Sequence, residues 1–252
     1  MLTRYTISSE RLPKEFDGFT IAQVSDLHNA ELGEDNERLL KMLKDTTPDI
    51  IAITGDLVDS RKTDTEIALR FVTEATKIAP CYYVTGNHEA RLPQSEYESL
   101  EQGLFRAGVT VLHDREERIQ KGNSSISLIG IDDMRFAEKY GGKDTEMQPS
   151  AIKTLSSGGY TLLLSHRPEF FKSYVQADID LVLSGHAHGG QFRIPFIGGL
   201  FAPNQGVFPE YDSGVFTDGN TNMAVSRGLG NSLFPFRINN RPEIVLIELK
   251  SI

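Results

Sequence analysis

Ile50-Ile51-Ala52-Ile53-Thr54-Gly55-Asp56-Leu57-Val58-Asp59 sets four apolar residues, a threonine and a glycine ahead of two aspartates. The short apolar run, rich in β-branched residues, reads as a buried strand. In an open α/β sheet, ligands bind beyond the carboxyl ends of the strands, where Asp56 falls. Gly55 lets the backbone turn sharply just before it.

Four further runs end the same way. Ile21-Ala22-Gln23-Val24-Ser25 leads into Asp26-Leu27-His28, and Tyr82-Tyr83-Val84-Thr85-Gly86 into Asn87-His88-Glu89. Leu162-Leu163-Leu164-Ser165 precedes His166, and Leu181-Val182-Leu183-Ser184-Gly185 precedes His186-Ala187-His188. These runs hold all of the chain's 6 histidines except His113. Singly, Asp26 or Asp56 would cap a helix, Asn87 would make a turn and His166 would sit satisfied in a core. Jointly, five strand ends converge on one site, and the metal reading prevails. Carboxylate, imidazole and amide-oxygen donors suit borderline divalent ions, with manganese the first choice and iron or zinc as alternatives. No cysteine stands among them, which argues against a structural zinc. Seven candidates (Asp26, His28, Asp56, Asn87, His166, His186 and His188) exceed one tetrahedral ion. They suit two ions sharing a carboxylate, a pair that clamps a phosphoryl group when about 3.5–4 Å apart.

Outward from these ends, the 252 residues read as one α/β domain spanning residues 1–252. Strands are expected over Thr20–Val24, Ile50–Ile53, Tyr82–Val84 and Ile126–Ile131, with helices over Asn36–Lys44, Thr63–Lys77 and Gln94–Ala107. Thr63 and Glu66 have capping-box spacing. This alternation predicts parallel strands in one sheet. Later strands are expected over Thr161–Leu164, Ile179–Leu183, Met223–Ser226 and Glu243–Leu249, and Met1–Ile7 also alternates like a strand. Gly189–Gly219 reads as a long loop of the functional kind. Its apolar residues between Phe192 and Phe208 read first as a lid packed on the sheet and second as a contact for lipid. His113 follows a strand-like Val109–Leu112 and reads as surface or structural. Asp132 and Asp133 read as caps near the site rim.

A net charge of -9 argues against a nucleic-acid surface. Cys81 is the single cysteine and reads as a buried thiol, so no intrachain disulfide is expected. No run approaches the roughly 18 apolar residues of a membrane span, and the start lacks a signal-peptide core. A cytoplasmic protein is expected, with peripheral membrane contact compatible; nothing in the sequence sets an oligomeric state.

The ordered blocks Asp26-x-His28, Gly55-Asp56-x-x-Asp59, Gly86-Asn87-His88-Glu89, His166 and Gly185-His186-x-His188 resemble the calcineurin-like metallophosphoesterases. Gly189–Pro195 and Ser226–Gly230 look like the bacterial YkuE/YaeI-like branch, whose members commonly carry an anchor or export signal. The resemblance implies a two-sheet α/β/β/α sandwich. It places Asp26, His28 and His188 on a first metal ion, Asn87, His166 and His186 on a second, and Asp56 between them. His88 should face the scissile phosphate, oriented by Asp59. Ser60, where protein phosphatases have arginine, departs from that pattern. The expected reaction is attack on phosphorus by a hydroxide generated at the two ions. The expected substrate is a phosphodiester or pyrophosphate, with a lipid-linked one compatible. A phosphomonoester or phosphoprotein is the enzymatic alternative, and a non-catalytic metal-binding scaffold the alternative from another class.

Overall fold

Side-chain alternation along the buried strands decides how the layers stack. In Thr20–Val24 (β2), Ala22 and Val24 face one way while Ile21 faces the other. In Ile50–Thr54 (β3), Ile51 and Ile53 face one way, Ile50 and Ala52 the other. Both faces are apolar, so both must be covered, and they are covered differently. The computed structural model describes residues 1–142, 145–231 and 236–252.

The first sheet runs β1 (Leu2–Ser9), β16 (Ile244–Ser251), β2, β3, β4 (Cys81–Val84) and β5 (Thr110–Val111). Strands β2 to β5 are parallel, β16 is antiparallel to β2, and β1 is parallel to β16. The second sheet holds β6 (Arg115–Lys121), β7 (Ser124–Gly130), β8 (Thr161–Leu164), β9 (Leu181–Ser184), β14 (Gly214–Asp218) and β15 (Thr221–Val225). Its strands β7, β8, β9 and β15 are parallel, flanked by antiparallel β6 and β14. Between β9 and β14 lie two short hairpins, β10 (Arg193–Ile194) with β11 (Gly198–Gly199), and β12 (Phe201–Ala202) with β13 (Gly206–Val207).

Helices α1 (Glu37–Thr46), α2 (Thr65–Ala75) and α3 (Gln94–Arg106) place Leu39, Leu43, Phe71, Leu100 and Leu104 on the outer face of the first sheet. The inner faces meet through Ile21, Ile50 and Ala52 on one side and Leu162, Leu164, Leu181 and Leu183 on the other. Beyond the second sheet, α5 (Pro149–Leu155) and α6 (Phe171–Gln176) contribute Ile152, Phe171 and Tyr174, which pack with Leu163 and Val182. The architecture is the expected α/β/β/α sandwich. Gln23 crosses between the sheets beneath the site, its amide donating to the Ser184 carbonyl at 2.9 Å.

Several expectations are corrected. The run at Ile126–Ile131 forms β7 of the second sheet rather than continuing the first, so the alternating strands divide between two sheets. A charged strand, β6, was not foreseen because only its Ile119 is buried. Helix α2 begins at Thr65 with Asp64 as its cap, the Asp64 carboxylate accepting from Glu66 N–H at 3.1 Å, not with a Thr63 box. The long loop contains the two hairpins and β14. The packed lid forms only in part: Phe192, Leu200 and Phe201 are half-buried, but Ile194, Phe196, Ile197, Val207 and Phe208 are exposed.

Phe71 is fully buried between α2 and the first sheet, so Phe71→Ala is expected to cost about 3–5 kcal/mol in urea unfolding. Glu117→Ala, on the exposed side of β6, should change stability by less than about 0.5 kcal/mol.

Candidate metal centre

Strands β2, β3 and β4 of one sheet and β8 and β9 of the other deliver their following residues to one place. Asp26, His28, Asp56 and His188 present ligand atoms that all lie within 4.8 Å of one another, and so do those of Asp56, His166 and His186. Asp56 belongs to both groups. Its Oδ2 lies 3.5 Å from His28 Nε2 and 3.3 Å from His166 Nε2. His28 Nε2 faces His188 Nε2 at 3.2 Å, and His188 Nε2 lies 3.3 Å from Asp26 Oδ1. His186 Nδ1 faces His166 Nε2 at 3.1 Å. Asn87 lines the same pocket. All seven side chains are buried.

The backbone is bent to bring them in. Asp26, His28, Asp56, His186 and His188 all have φ between 47° and 64°, the left-handed region that non-glycine residues avoid. Such strain persists only where surrounding structure over-determines it, and it clusters at functional sites. Gly55 is also left-handed, as the sequence suggests, but Gly86 and Gly185 serve another purpose. A Cβ on Gly185 would lie 1.9 Å from Ser25 Oγ, and one on Gly86 2.3 Å from Asp56 Oδ1. These glycines permit close approach of loop to ligand.

Buried donors around the candidate ligands fix their orientation. His186 N–H donates to both Asp26 oxygens, at 3.2 and 3.1 Å, and Ser25 Oγ–H donates to Asp26 Oδ2 at 2.6 Å. His88 N–H donates to Asp56 Oδ1 at 2.8 Å. His166 Nδ1–H donates to the Thr54 carbonyl at 2.7 Å, which aims Nε2 at Asp56; burial opposes charging this ring, but the Asp56 carboxylate prevails and holds it well above its ordinary value. Glu89 ties the β3 and β4 loops together, accepting from Asp56 N–H at 3.0 Å and Gly86 N–H at 2.8 Å. Burial, with the Asp56 charge next, raises its carboxyl to about 7.

These donors fit divalent ions. Asn87 Oδ1 is buried and, among the described residues, has no hydrogen-bond partner, a cost unless something else satisfies it. Burial lowers His28 and His188 to about 3, so both stay neutral with lone pairs to give. Burial works to raise the Asp56 carboxyl, but His166 and His88 prevail and hold it well below the usual range. With Nε2 protonated, His166 itself pairs with Asp56, and a divalent ion bound between them would displace that proton.

His88 and Asp59 stand beside these groups. Ser60 N–H donates to His88 Nδ1 at 3.1 Å, so the proton sits on Nε2. Asp59 Oδ1 is 3.5 Å from His88 Nδ1, while both Asp59 oxygens accept from Arg61, from Nε at 3.0 Å and Nη2 at 2.7 Å. Sequence reasoning did not find Asn204, whose amide nitrogen meets His186 Nε2 at 2.9 Å, or the clamp role of Glu89. Position beside Asn87-His88 was a signal for Glu89; nothing local marked Asn204.

His113 is more than a surface residue. Its Nδ1 lies 2.8 Å from Asp132 Oδ2 and its Nε2 2.6 Å from Glu101 Oε1. Thr85 Oγ1 donates to Asp132 and accepts from Asp133 N–H. Asp133 caps α4 (Met134–Tyr140), as expected of it, and also binds buried Arg167 at 2.6 Å. Asp132 is no cap; its carboxylate holds His113.

A profile described as calcineurin-like phosphoesterase matches residues 19–190. The metallophosphoesterase YkuE of Bacillus subtilis is 32% identical over 99% of this chain and 85% of its own. Phosphodiesterase YaeI of Escherichia coli is 29% identical over 80% of this chain and 70% of its own. A Danio rerio transmembrane protein with a metallophosphoesterase domain is 29% identical over 97% of this chain and 56% of its own. Among the described residues, no helix here is long and apolar enough to cross a membrane. Among solved structures, Thermus thermophilus sulfate thiohydrolase SoxB superposes with a TM-score of 0.57 at 14% identity, covering 95% of this chain and 57% of its own. Mycobacterium tuberculosis phosphopantetheinyl hydrolase does so with 0.53 at 12%, covering 83% and 89%.

The His113 cluster sets a pH dependence of stability. Burial opposes charging the ring, but Asp132 and Glu101 outweigh it and push it up to about 9, above an ordinary value of about 6.5. A raised folded value means stabilisation that is complete below about pH 6.5 and lost as pH rises through about 9. The Tm difference between wild type and His113→Gln should therefore be widest near pH 6 and close by about pH 9.5. A gap constant across that range would refute the charged pairing.

Proposed function

The chain belongs to the calcineurin-like phosphoesterase family, and from that premise we propose that it hydrolyses a phosphodiester or pyrophosphate with two divalent ions, manganese first among them. The observation that carries this reading is Asp56, one carboxylate common to two donor groups otherwise made of different residues. Asp26, His28 and His188 would hold one ion and Asn87, His166 and His186 the other. Ions bound there would supply the charge that neutralises phosphoryl oxygens and lowers the pKa of an attacking water.

The chain's own residues do the rest. The Asp26 and Asp56 carboxylates are fixed by backbone N–H groups, so the donor geometry is set before substrate arrives. His88, oriented through Nδ1 by Ser60, offers Nε2–H to the leaving oxygen. Asp59 Oδ1 lies 3.5 Å from Nδ1, so its charge would favour the ring when it is protonated, and its carboxylate also holds Arg61. No serine or cysteine nucleophile is required.

A lipid-linked substrate is favoured by one specific observation. Phe196 and Phe208 stand exposed beside the two hairpins with φ of 68° and 56°, a backbone strain that no packing of their side chains repays. Leu200 N–H donates to the Phe192 carbonyl, and Phe208 N–H to Leu200, so the tips are joined to one small platform. Asn204, between β12 and β13, joins that platform to His186. Vesicle sedimentation tests this: Phe196→Ser with Phe208→Ser should abolish any lipid binding that wild type shows. Wild-type protein that stays in the supernatant with neutral and anionic vesicles alike removes the lipid reading.

Two variants separate metal binding from proton donation. Asp56→Asn should reduce metal content at both positions and abolish activity. His88→Ala should keep its metal while turnover falls by roughly 10²–10⁴-fold, and by less with an aryl leaving group whose oxide is already stable. Metal loss in His88→Ala would make His88 a ligand. Full occupancy and activity in Asp56→Asn would overturn the shared carboxylate.

A further inference from the structure

Three arginines from three separate elements line the pocket beside the candidate metal ligands. Arg61 follows β3 in the loop before α2, Arg91 ends the turn after His88, and Arg135 lies in the first turn of α4. The pocket they share with Asp56, Asn87, His88, His186 and His188 measures about 150 Å³, so the guanidinium groups and any bound phosphoryl are near neighbours. Arg91 Nη1 sits 3.4 Å from His88 Nε2, the atom proposed above to meet the leaving oxygen. Arg61 is steered there by its two bonds to Asp59. Arg91 and Arg135 make no ion pair among the described residues.

Exposed arginines at a rim are ordinarily solvated and need no ligand. Here, in a chain of net charge -9, three converge on one small pocket, and two of them pair with no carboxylate among the described residues. A guanidinium fork matches the oxygens of a phosphoryl group, which lysine or a neutral donor does less well. A neutral alcohol leaving from phosphorus would have no use for this charge.

We infer that Arg61, Arg91 and Arg135 form a second anion subsite, and that the substrate carries a further phosphoryl group on its leaving side, as in an organic diphosphate diester. The inference rests on the phosphoesterase reading and selects within it. Hydrolysis then adds one water across the P–O–P link. The bond from the attacked phosphorus to the bridging oxygen breaks, two phosphate monoesters form, and the released proton passes to solvent. Negative charge grows on the departing phosphate, where Arg91 and Arg135 meet it, and protonation by His88 matters less than for an alkoxide.

The test pairs two probes on the manganese-loaded protein, methyl phenyl phosphate and P1-methyl P2-phenyl diphosphate. Calorimetry with relatives in which a carbon link replaces the scissile bond, methyl phenylphosphonate and the methylene-bridged diphosphonate diester, reads binding, and chromatography of the recovered ligand checks that their remaining ester bonds are intact. Wild type should bind the diphosphonate at least about tenfold more tightly, with a preference that weakens as salt is raised. Arg135→Gln, at an exposed side chain with no hydrogen bond to His88 among the described residues, should erase most of that preference, Arg91→Gln likewise, and Arg135→Lys should restore part of it. Equal binding of both phosphonates by wild type, or variants that weaken both alike, overturns the subsite. Turnover of neither substrate beside an intact diphosphonate preference retires the diester and pyrophosphate reading while leaving the subsite standing.

Discussion

Two carboxylates, Asp26 and Asp56, are buried among imidazoles; burial keeps His28, His186 and His188 neutral while Asp56 holds His166 charged, and the surrounding structure answers to the negative charge this leaves. Isolated negative charge in such a place is very costly. Part of it is met by backbone N–H groups, from His186 onto Asp26 and from His88 onto Asp56. The remainder calls for cations. Five left-handed donor residues, two glycines with no room for a Cβ and the Glu89 clamp are the means by which strand ends from two sheets are held close enough to share them.

Much of this was legible in the sequence, for a physical reason. A strand buried on both faces has no polar residue until it ends, so Asp26, Asp56, Asn87, His166 and His186 stand out at the transition. The convergence followed from the rule for parallel sheets. What remained hidden were features set by contacts distant in sequence. Whether β7 joins β8 or β4 is decided by which face Leu128 and Leu162 bury together, and the apolar run alone is silent on that. Edge strand β6 is written mostly in charge because solvent covers it. His113 appeared alone in its segment, yet Glu101 and Asp132 reach it from α3 and from beyond β7. The orienting contact of His88 is with the Ser60 backbone, and a backbone N–H leaves no mark in sequence.

Floor and rim therefore carry different information. The floor is built from both sheets, and solved structures at 12–14% identity share its fold, so fold alone cannot name a substrate. The rim is assembled from short segments after the strands: the loop before α2, the turn after His88, the start of α4 and the hairpins that carry Asn204 and the exposed phenylalanines. Guanidinium groups gather on the side of His88 Nε2, and apolar tips adjoin the segment that holds His186. A substrate matching both would be amphiphilic, anionic where the bond breaks and apolar beyond. The two demands are independent, since Arg135 stands on α4 and Phe196 between β10 and β11. Each can fail without the other, and the pairing of the two would set a specificity that the metal donors by themselves do not contain.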